Sequence, residues 1–137
     1  PIKYFTLTYP RLDIYGAQVE INGTDLKQNA IHYPGTAFPG NFGNSVIFGH
    51  SSLPILYKPG SPITIFNPLV KAKPGDKIIV NYDNKIFRYH IRKTSEVSPK
   101  NLEVLDQDYS KKHLTLITCV PLGTYWRRLV VVADLIN

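Results

Sequence analysis

Cys119 is the only cysteine in the chain, which makes it a candidate nucleophile. A single cysteine forms no internal disulfide, and the commonest role of a free cysteine is that of a small buried side chain. A nucleophilic thiol needs a general base and a group that stabilises developing negative charge elsewhere in the chain. Composition alone leaves both interpretations of Cys119 open.

His50 is the histidine best placed to act as that base. It follows the apolar run 45–48 and Gly49, so it lies where a predicted strand gives way to a loop. A titratable side chain at the mouth of a strand can accept or donate a proton near neutral pH. The other histidines are expected to be packed or exposed side chains without a catalytic role: His32, His90 and His113.

Metal binding is a competing role for histidine and cysteine. Zinc sites require three or four ligands at recognisable spacings, and the chain shows no such spacing. We therefore expect no metal and no other cofactor.

Nucleic acid is a second competing partner, because the chain carries a net charge of +6 and 12% aromatic residues. The basic residues are scattered, however, and no predicted strand alternates basic with aromatic side chains as a base-stacking surface would. We expect no nucleic-acid partner.

The elements that must position Cys119 and His50 are short strands. Segments rich in β-branched and aromatic residues predict strands at 3–9, 17–21, 45–48, 77–82, 86–94, 114–119 and 129–135. Frequent proline and glycine separate them, Asp83-Asn84 predicts a tight hairpin, and short helices are expected only near 24–29 and 52–57. The pattern predicts one all-β domain over residues 1–137, a barrel or a sandwich.

The alternation of side chains along the last two strands decides what meets Cys119. In regular strands, Cys119 shares a face with Ile117, whereas Thr118 points to the opposite face. Arg128 begins the following strand, and Arg127 would point away from it. If the two strands are neighbours, a thiol and a guanidinium meet at one end of the sheet, as acyl chemistry with a stabilised oxyanion requires.

Several segments resemble the sortase family, in the correct order over residues 10–135. The strongest match is Thr115-Leu116-Ile117-Thr118-Cys119, which resembles the signature Thr-Leu-x-Thr-Cys. The other matching segments are His32–Gly40, Asn44–Ser51, Lys73–Ile78, and Pro121 and Gly123 with Arg128–Val131.

This resemblance implies an eight-stranded β-barrel in which His50, Cys119 and Arg128 share a groove. It implies a cysteine transpeptidase that cleaves a C-terminal sorting signal similar to Leu-Pro-x-Thr-Gly in secreted proteins. The acyl group would pass through a thioacyl-enzyme to an amine of a cell-wall peptide or a pilin lysine. Candidate substrate contacts are Thr118, Val120, Leu122 and Trp126, with packing as the alternative for the last three.

The class within the family is also predicted from resemblance. The short spacing from Cys119 to Arg128 and the Tyr-Pro-Gly-Thr stretch at 33–36 look closer to classes C, D and E than to the calcium-stimulated class A. Acidic residues are few and dispersed, so we expect no strong calcium dependence; those closest together in sequence are Glu96, Glu103, Asp106 and Asp108.

The expected location is extracytoplasmic, at the cell surface. The chain contains no apolar run of the roughly 18–20 residues that cross a bilayer. Because it begins at Pro1 rather than Met, we expect a trimmed part of a longer protein, with any membrane anchor outside this chain. Two alternative functions remain open: a cysteine hydrolase that releases the peptide to water, and a non-catalytic barrel that binds wall peptides.

Overall fold

The computed structural model describes all residues from Pro1 to Asn137, and it is built from strands and short 3₁₀ helices. The strands are β1 Tyr4–Tyr9, β2 Ile14–Ile21, β3 Ala30–His32, β4 Gly43–Phe48, β5 Lys77–Tyr82, β6 Lys85–Val97, β7 Lys112–Val120 and β8 Arg127–Leu135. The 3₁₀ helices are Pro10–Leu12, Pro54–Leu56, Pro62–Thr64, Asn67–Lys71 and Glu103–Leu105. None of these helices has the length and apolar character needed to cross a membrane.

The eight strands close into a barrel in the order β1-β2-β3-β4-β7-β8-β6-β5. Most neighbours are antiparallel, but β3 runs parallel to β2 and β7 runs parallel to β4. Closure leaves no sheet edge exposed along the barrel. The predicted all-β class and the eight-stranded barrel are therefore confirmed.

Local turn chemistry explains where the strands begin and end. Asp83 and Asn84 adopt φ angles of 54° and 59° between β5 and β6, which is the left-handed geometry that asparagine and aspartate tolerate in two-residue hairpins. The predicted hairpin is confirmed. The helix expected near 24–29 is wrong, because that segment forms turns, whereas 52–57 contains the 3₁₀ helix Pro54–Leu56.

The strand that ends in Cys119 is buried on both faces. On the inner face Leu114 and Leu116 pack into the barrel core, where Val131 of β8 also lies. On the outer face Ile117 packs with Val46 and Val130 in a second cluster. Fully burying each such aliphatic side chain contributes roughly 1.5–3 kcal/mol, so β7 is a rigid support for the residue at its end.

A long connection between β6 and β7 covers that outer face. Val104 and Leu105 of this connection pack against the Ile117 cluster. Gln107 holds the connection to β4, since its Nε2 donates to the carbonyl of Asn44 at 2.9 Å and its Oε1 accepts from the Asn44 N–H at 2.7 Å. The β6–β7 connection therefore forms a wall over the outer face of β7, and Cys119 lies at one end of that face.

Candidate active site

The strand registers bring His50, Cys119 and Arg128 into one row. In the antiparallel pair β7–β8, Cys119 lies directly opposite Arg128. In the parallel pair β4–β7, Phe48 lies beside Ile117. His50 lies two residues after Phe48, and Cys119 lies two residues after Ile117. If the same register continues beyond the end of β4, His50 and Cys119 lie side by side on the same face. Cys119 and Arg128 thus face each other across adjacent strands, and His50 follows the strand on the other side of β7.

Hydrogen bonds extend the alignment beyond the end of β4. The Gly49 N–H donates to the carbonyl of Ile117 at 3.0 Å, and the Thr118 hydroxyl donates to the carbonyl of Gly49 at 2.8 Å. The Ser51 hydroxyl donates to the carbonyl of Cys119 itself at 2.8 Å. The segment that carries His50 is therefore tied to the strand that carries the thiol.

Gly49 is required for close packing at this point. A Cβ added to Gly49 would lie 2.2 Å from the ring of Phe66, which is fully buried. Any larger residue would push apart the barrel core and the His50 segment.

The His50 ring is held in one tautomer. Its Nδ1 lies 2.8 Å from the carbonyl of Ile63, and a carbonyl only accepts, so Nδ1 carries the hydrogen. In the neutral ring the lone pair is therefore on Nε2. That nitrogen is the one available to exchange a proton with a reacting group.

The thiol of Cys119 is half-buried. Burial raises the pKa of this thiol, because the charged thiolate loses hydration, and the positive charge of Arg128 lowers the pKa by a smaller amount. The neutral thiol therefore predominates at neutral pH, and attack requires removal of its proton.

The two adjacent arginines have different surroundings. The Arg128 Nη1 donates to the carbonyls of Tyr125 and Arg127 at 3.1 and 3.3 Å, which holds this side chain near the β7–β8 loop. Arg127 pairs in register with Val120, and its Nε lies 3.6 Å from the Glu96 carboxylate. The guanidinium in the row with Cys119 is that of Arg128.

An apolar groove of about 90 Å³ adjoins this row. Its floor includes Phe48, Ile117 and Arg128. Its walls come from the β6–β7 region and the β3–β4 loop: Tyr33, Val97, Pro99, Asn101, Leu102, Val104 and Leu105. The sequence analysis did not identify these walls, although apolar residues at 117 and 130 on the Cys119 face signalled that something must cover it.

The four predicted substrate contacts fall in three environments. Thr118 is 1% exposed and lies on the face opposite Cys119, and Val120 is also buried. The Thr118 hydroxyl donates to the Gly49 carbonyl, and contact of Thr118 and Val120 with a peptide stays a prediction. Leu122 lines a second cavity with Pro54 and Tyr57, and Trp126 is 73% exposed in the β7–β8 loop.

The remaining histidines lie outside the row. His32 is fully buried, His90 is exposed, and His113 lies 2.7 Å from the Asp134 carboxylate at the start of β7. These are the packed and surface environments expected for them.

Known proteins share this barrel and much of its sequence. A family model described as "Sortase domain" matches residues 7–136. Sortase A of Bacillus anthracis is 37% identical over 96 residues, which is 69% of this chain and 41% of that protein. Sortase A of Streptococcus agalactiae serotype III (strain NEM316) is 39% identical over 77 residues, which is 56% of this chain and 30% of that protein. The chain thus spans less than half the length of either relative.

A solved structure agrees at the level of the fold and of sequence. The Sortase D5 transpeptidase of Clostridium perfringens superimposes with a TM-score of 0.81 and 27% identity, covering 98% of this chain and 79% of that one. The relatives carry the names of different classes, so the class expected from the sequence stays a prediction. Because the family match covers residues 7–136, from within β1 to the end of β8, the chain belongs to the sortase family.

Proposed function

We propose that this chain is a cysteine transpeptidase that cleaves a C-terminal sorting signal and transfers the acyl group to an amine. The observation that carries the proposal is the register that pairs Cys119 with Arg128 and sets β4, the strand leading to His50, beside β7. A nucleophile, a proton carrier and a permanent cation are the set that thioester chemistry requires. Membership of the sortase family supports the same reaction.

The first half-reaction forms a thioacyl-enzyme. The Cys119 sulfur attacks the carbonyl carbon of the scissile peptide bond, forming a C–S bond, after its proton has passed to His50. Arg128 stabilises the oxyanion of the tetrahedral intermediate. When the C–N bond breaks, the leaving amine takes the proton from His50.

The second half-reaction reverses this order with a different amine. The incoming amine attacks the thioester carbonyl and loses a proton to His50. A new C–N bond forms as the C–S bond breaks, and the Cys119 sulfur regains a proton as the thiol. Atoms and charges balance without any cofactor.

The apolar groove supports a signal similar to Leu-Pro-x-Thr-Gly as the substrate. Its volume of about 90 Å³ and its aliphatic and aromatic walls suit a leucine and a proline side chain. Leu122 and Trp126, on the loop after Cys119, are the proposed contacts for residues beyond the scissile bond. The proposed partners are secreted proteins with such a signal and an amine from a wall peptide or a pilin lysine, at the extracytoplasmic cell surface.

The proposal is tested by mass spectrometry with a panel of sorting peptides, with and without hydroxylamine. We expect a thioacyl adduct on Cys119 and, with hydroxylamine, a peptide hydroxamate. The Cys119→Ala variant should form neither product while keeping its circular dichroism spectrum. A carboxylic acid that forms equally fast with and without the amine would identify a hydrolase instead, and peptide binding without any cleavage would identify a binding barrel.

A further inference from the structure

Residues 26–75 contain no aspartate or glutamate, although the chain has ten acidic residues in all. Four lysines lie in the same stretch: Lys27, Lys58, Lys71 and Lys73. The second half of this stretch is the connection between β4 and β5. That connection therefore carries three lysines, and its one acidic residue, Asp76, lies at its end directly before β5.

The same connection exposes large aliphatic side chains. Ile55 is 89% exposed, Leu56 58% and Leu53 51%. We use the term β4–β5 surface for these side chains and their neighbours around the cavity described above: Leu53, Ile55, Leu56, Lys58, Val70 and Lys71. Large apolar side chains exposed close together in one short segment are typical of an interaction site.

The local structure holds these side chains outward. Pro54 begins a 3₁₀ helix of three residues, which is too short to bury a face of its own. The Lys58 N–H donates to the Thr64 hydroxyl at 3.1 Å, and that hydroxyl donates to the Lys58 carbonyl at 3.0 Å. Two bonds to the buried Thr64 thus close the loop 58–64, which follows Ile55 and Leu56 directly.

The acidic groups near the β4–β5 surface lie at its edge. Asp76 is bound by Arg11 through both carboxylate oxygens, and Arg11 also donates to the Lys71 carbonyl at 2.6 Å. Asp13 lines the cavity beside Arg11. Arg11 balances one of these carboxylates, and Lys58 and Lys71 remain unpaired cations of the surface.

From this arrangement we infer that the β4–β5 surface docks on an anionic lipid bilayer. Exposed aliphatic side chains that enter the headgroup boundary, flanked by lysines and with acids only at the edge, have the chemistry of an interfacial membrane contact. The inference concerns binding and stands independently of the proposed transfer reaction.

Docking there places the thiol near the lipid surface. A Cβ at Gly123, four residues after Cys119, would lie 2.5 Å from Leu53, so the β7–β8 loop touches the β4–β5 surface. Ser51, two residues before Leu53, donates to the Cys119 carbonyl. The active site and the proposed membrane contact are thus parts of one end of the barrel.

The test is sedimentation of the 137-residue chain with lipid vesicles. We expect binding to vesicles of phosphatidylcholine mixed with phosphatidylglycerol, weak binding to pure phosphatidylcholine, and weaker binding to both as salt is raised. Ile55→Ser with Leu56→Ser, and separately Lys58→Glu, should each lower the partition coefficient about fivefold or more. Because these side chains are exposed, the variants should keep their thermal unfolding temperature, measured by circular dichroism.

Matched controls lie at the opposite end of the barrel. Ile86 is 51% exposed beside Lys85 at the β5–β6 hairpin, so Ile86→Ser and Lys85→Glu should leave binding unchanged. Absence of binding to phosphatidylglycerol vesicles, or equal losses in the control variants, would overturn the inference. So would sedimentation velocity that showed an Ile55-dependent dimer without vesicle binding, since the surface would then belong to a second copy.

Discussion

At the residue scale, Cys119 is controlled by two opposing effects. Burial favours the neutral thiol, and Arg128 directly opposite favours the thiolate. Burial is the larger effect, so the pKa of the thiol lies above its ordinary value. The reactive thiolate is therefore a minority form at neutral pH.

This balance predicts the pH dependence of alkylation. Because the thiol pKa is raised, the rate of Cys119 alkylation by iodoacetamide should rise about tenfold per pH unit through neutral pH, without a plateau below about pH 8. Removing the nearby cation in Arg128→Ala should raise the pKa further and slow alkylation at any fixed pH in that range. Mass spectrometry of the single cysteine measures the rate. A plateau near neutral pH would contradict the raised pKa.

Arg128 and Arg127 should differ sharply in their effect on transfer. Losing a charged donor to an oxyanion costs about 10² to 10³ in rate, so Arg128→Ala should lose at least about a hundredfold. Arg128→Lys should remain impaired, because lysine lacks the planar fork of donors. Arg127→Ala, which breaks the contact with Glu96, should lose less than about tenfold. The opposite order in the steady-state rates would mean that the functional arginine was chosen wrongly.

At the element scale, the position of His50 depends on a segment outside any strand. Asn67 holds the segment that follows His50 through two hydrogen bonds to Ser52. Its Oδ1 accepts from the Ser52 N–H at 2.8 Å, and its Nδ2 donates to the Ser52 carbonyl at 3.1 Å. Asn67 is 4% exposed, so these bonds are shielded from water. Ser51 and Asn67 together hold the segment between the thiol strand and the β4–β5 connection.

Asn67→Ala should therefore damage both stability and transfer. Leaving buried backbone groups of Ser52 unpaired should cost about 1–3 kcal/mol of the free energy of unfolding. A small displacement of His50 should lower kcat/KM about tenfold or more. Asn29→Ala, which removes a hydrogen bond from Gln18 far from the row, serves as the matched control and should leave kcat/KM unchanged. An Asn67→Ala variant with normal kcat/KM would show that the hydrogen bonds between Asn67 and Ser52 do not position His50.

At the scale of the whole molecule, one buried histidine should make the barrel sensitive to acid. The His32 Nε2 donates to the Ala37 carbonyl at 2.9 Å, whereas its buried Nδ1 has no partner. Protonation would place an N–H at Nδ1 with no acceptor, and burial lowers the pKa of His32. The unfolded chain therefore binds a proton more readily, so stability is full above the unfolded pKa of about 6.5 and falls as pH drops towards the lower folded value.

The prediction is that the unfolding temperature falls between about pH 6.5 and pH 5, before the carboxylates titrate. His32→Gln should flatten the pH dependence in this window even if it lowers the unfolding temperature. His90→Gln, at an exposed position of β6, should leave the dependence as it is. An unchanged pH profile in His32→Gln would assign the acid sensitivity to another group.

Calcium should have little effect on the rate of the whole enzyme. The acidic residues closest together in the sequence either contact other side chains or are spread along the β6–β7 connection. Glu96 lies 3.6 Å from Arg127, and the Asp108 carboxylate accepts a hydrogen bond from the Ser110 hydroxyl. We expect less than a twofold change in transfer rate with millimolar calcium, measured against the same enzyme with chelator. A several-fold increase that chelator reverses would contradict this expectation.

The sequence alone determined the features that depend on local chemistry. Period-two alternation fixed which neighbours share a face with Cys119 and with Arg128, and Asp83-Asn84 identified a hairpin, because side-chain direction and turn geometry are properties of a few neighbouring residues. The signature around Cys119 identified the family for the same reason. The same local reasoning missed β3, since three residues carry too little pattern to be recognised.

The tertiary structure decided which distant segments meet. The segment that carries His50 lies next to the Cys119 strand because β4 pairs in parallel with β7, and Ile117 faces a groove because the β6–β7 connection folds back over it. It also placed Thr118 and Val120 in buried positions on the face opposite the thiol. These outcomes depend on closing the barrel and burying both faces of β7. The free energy gained by that burial comes from the assembled strands together and from no single segment.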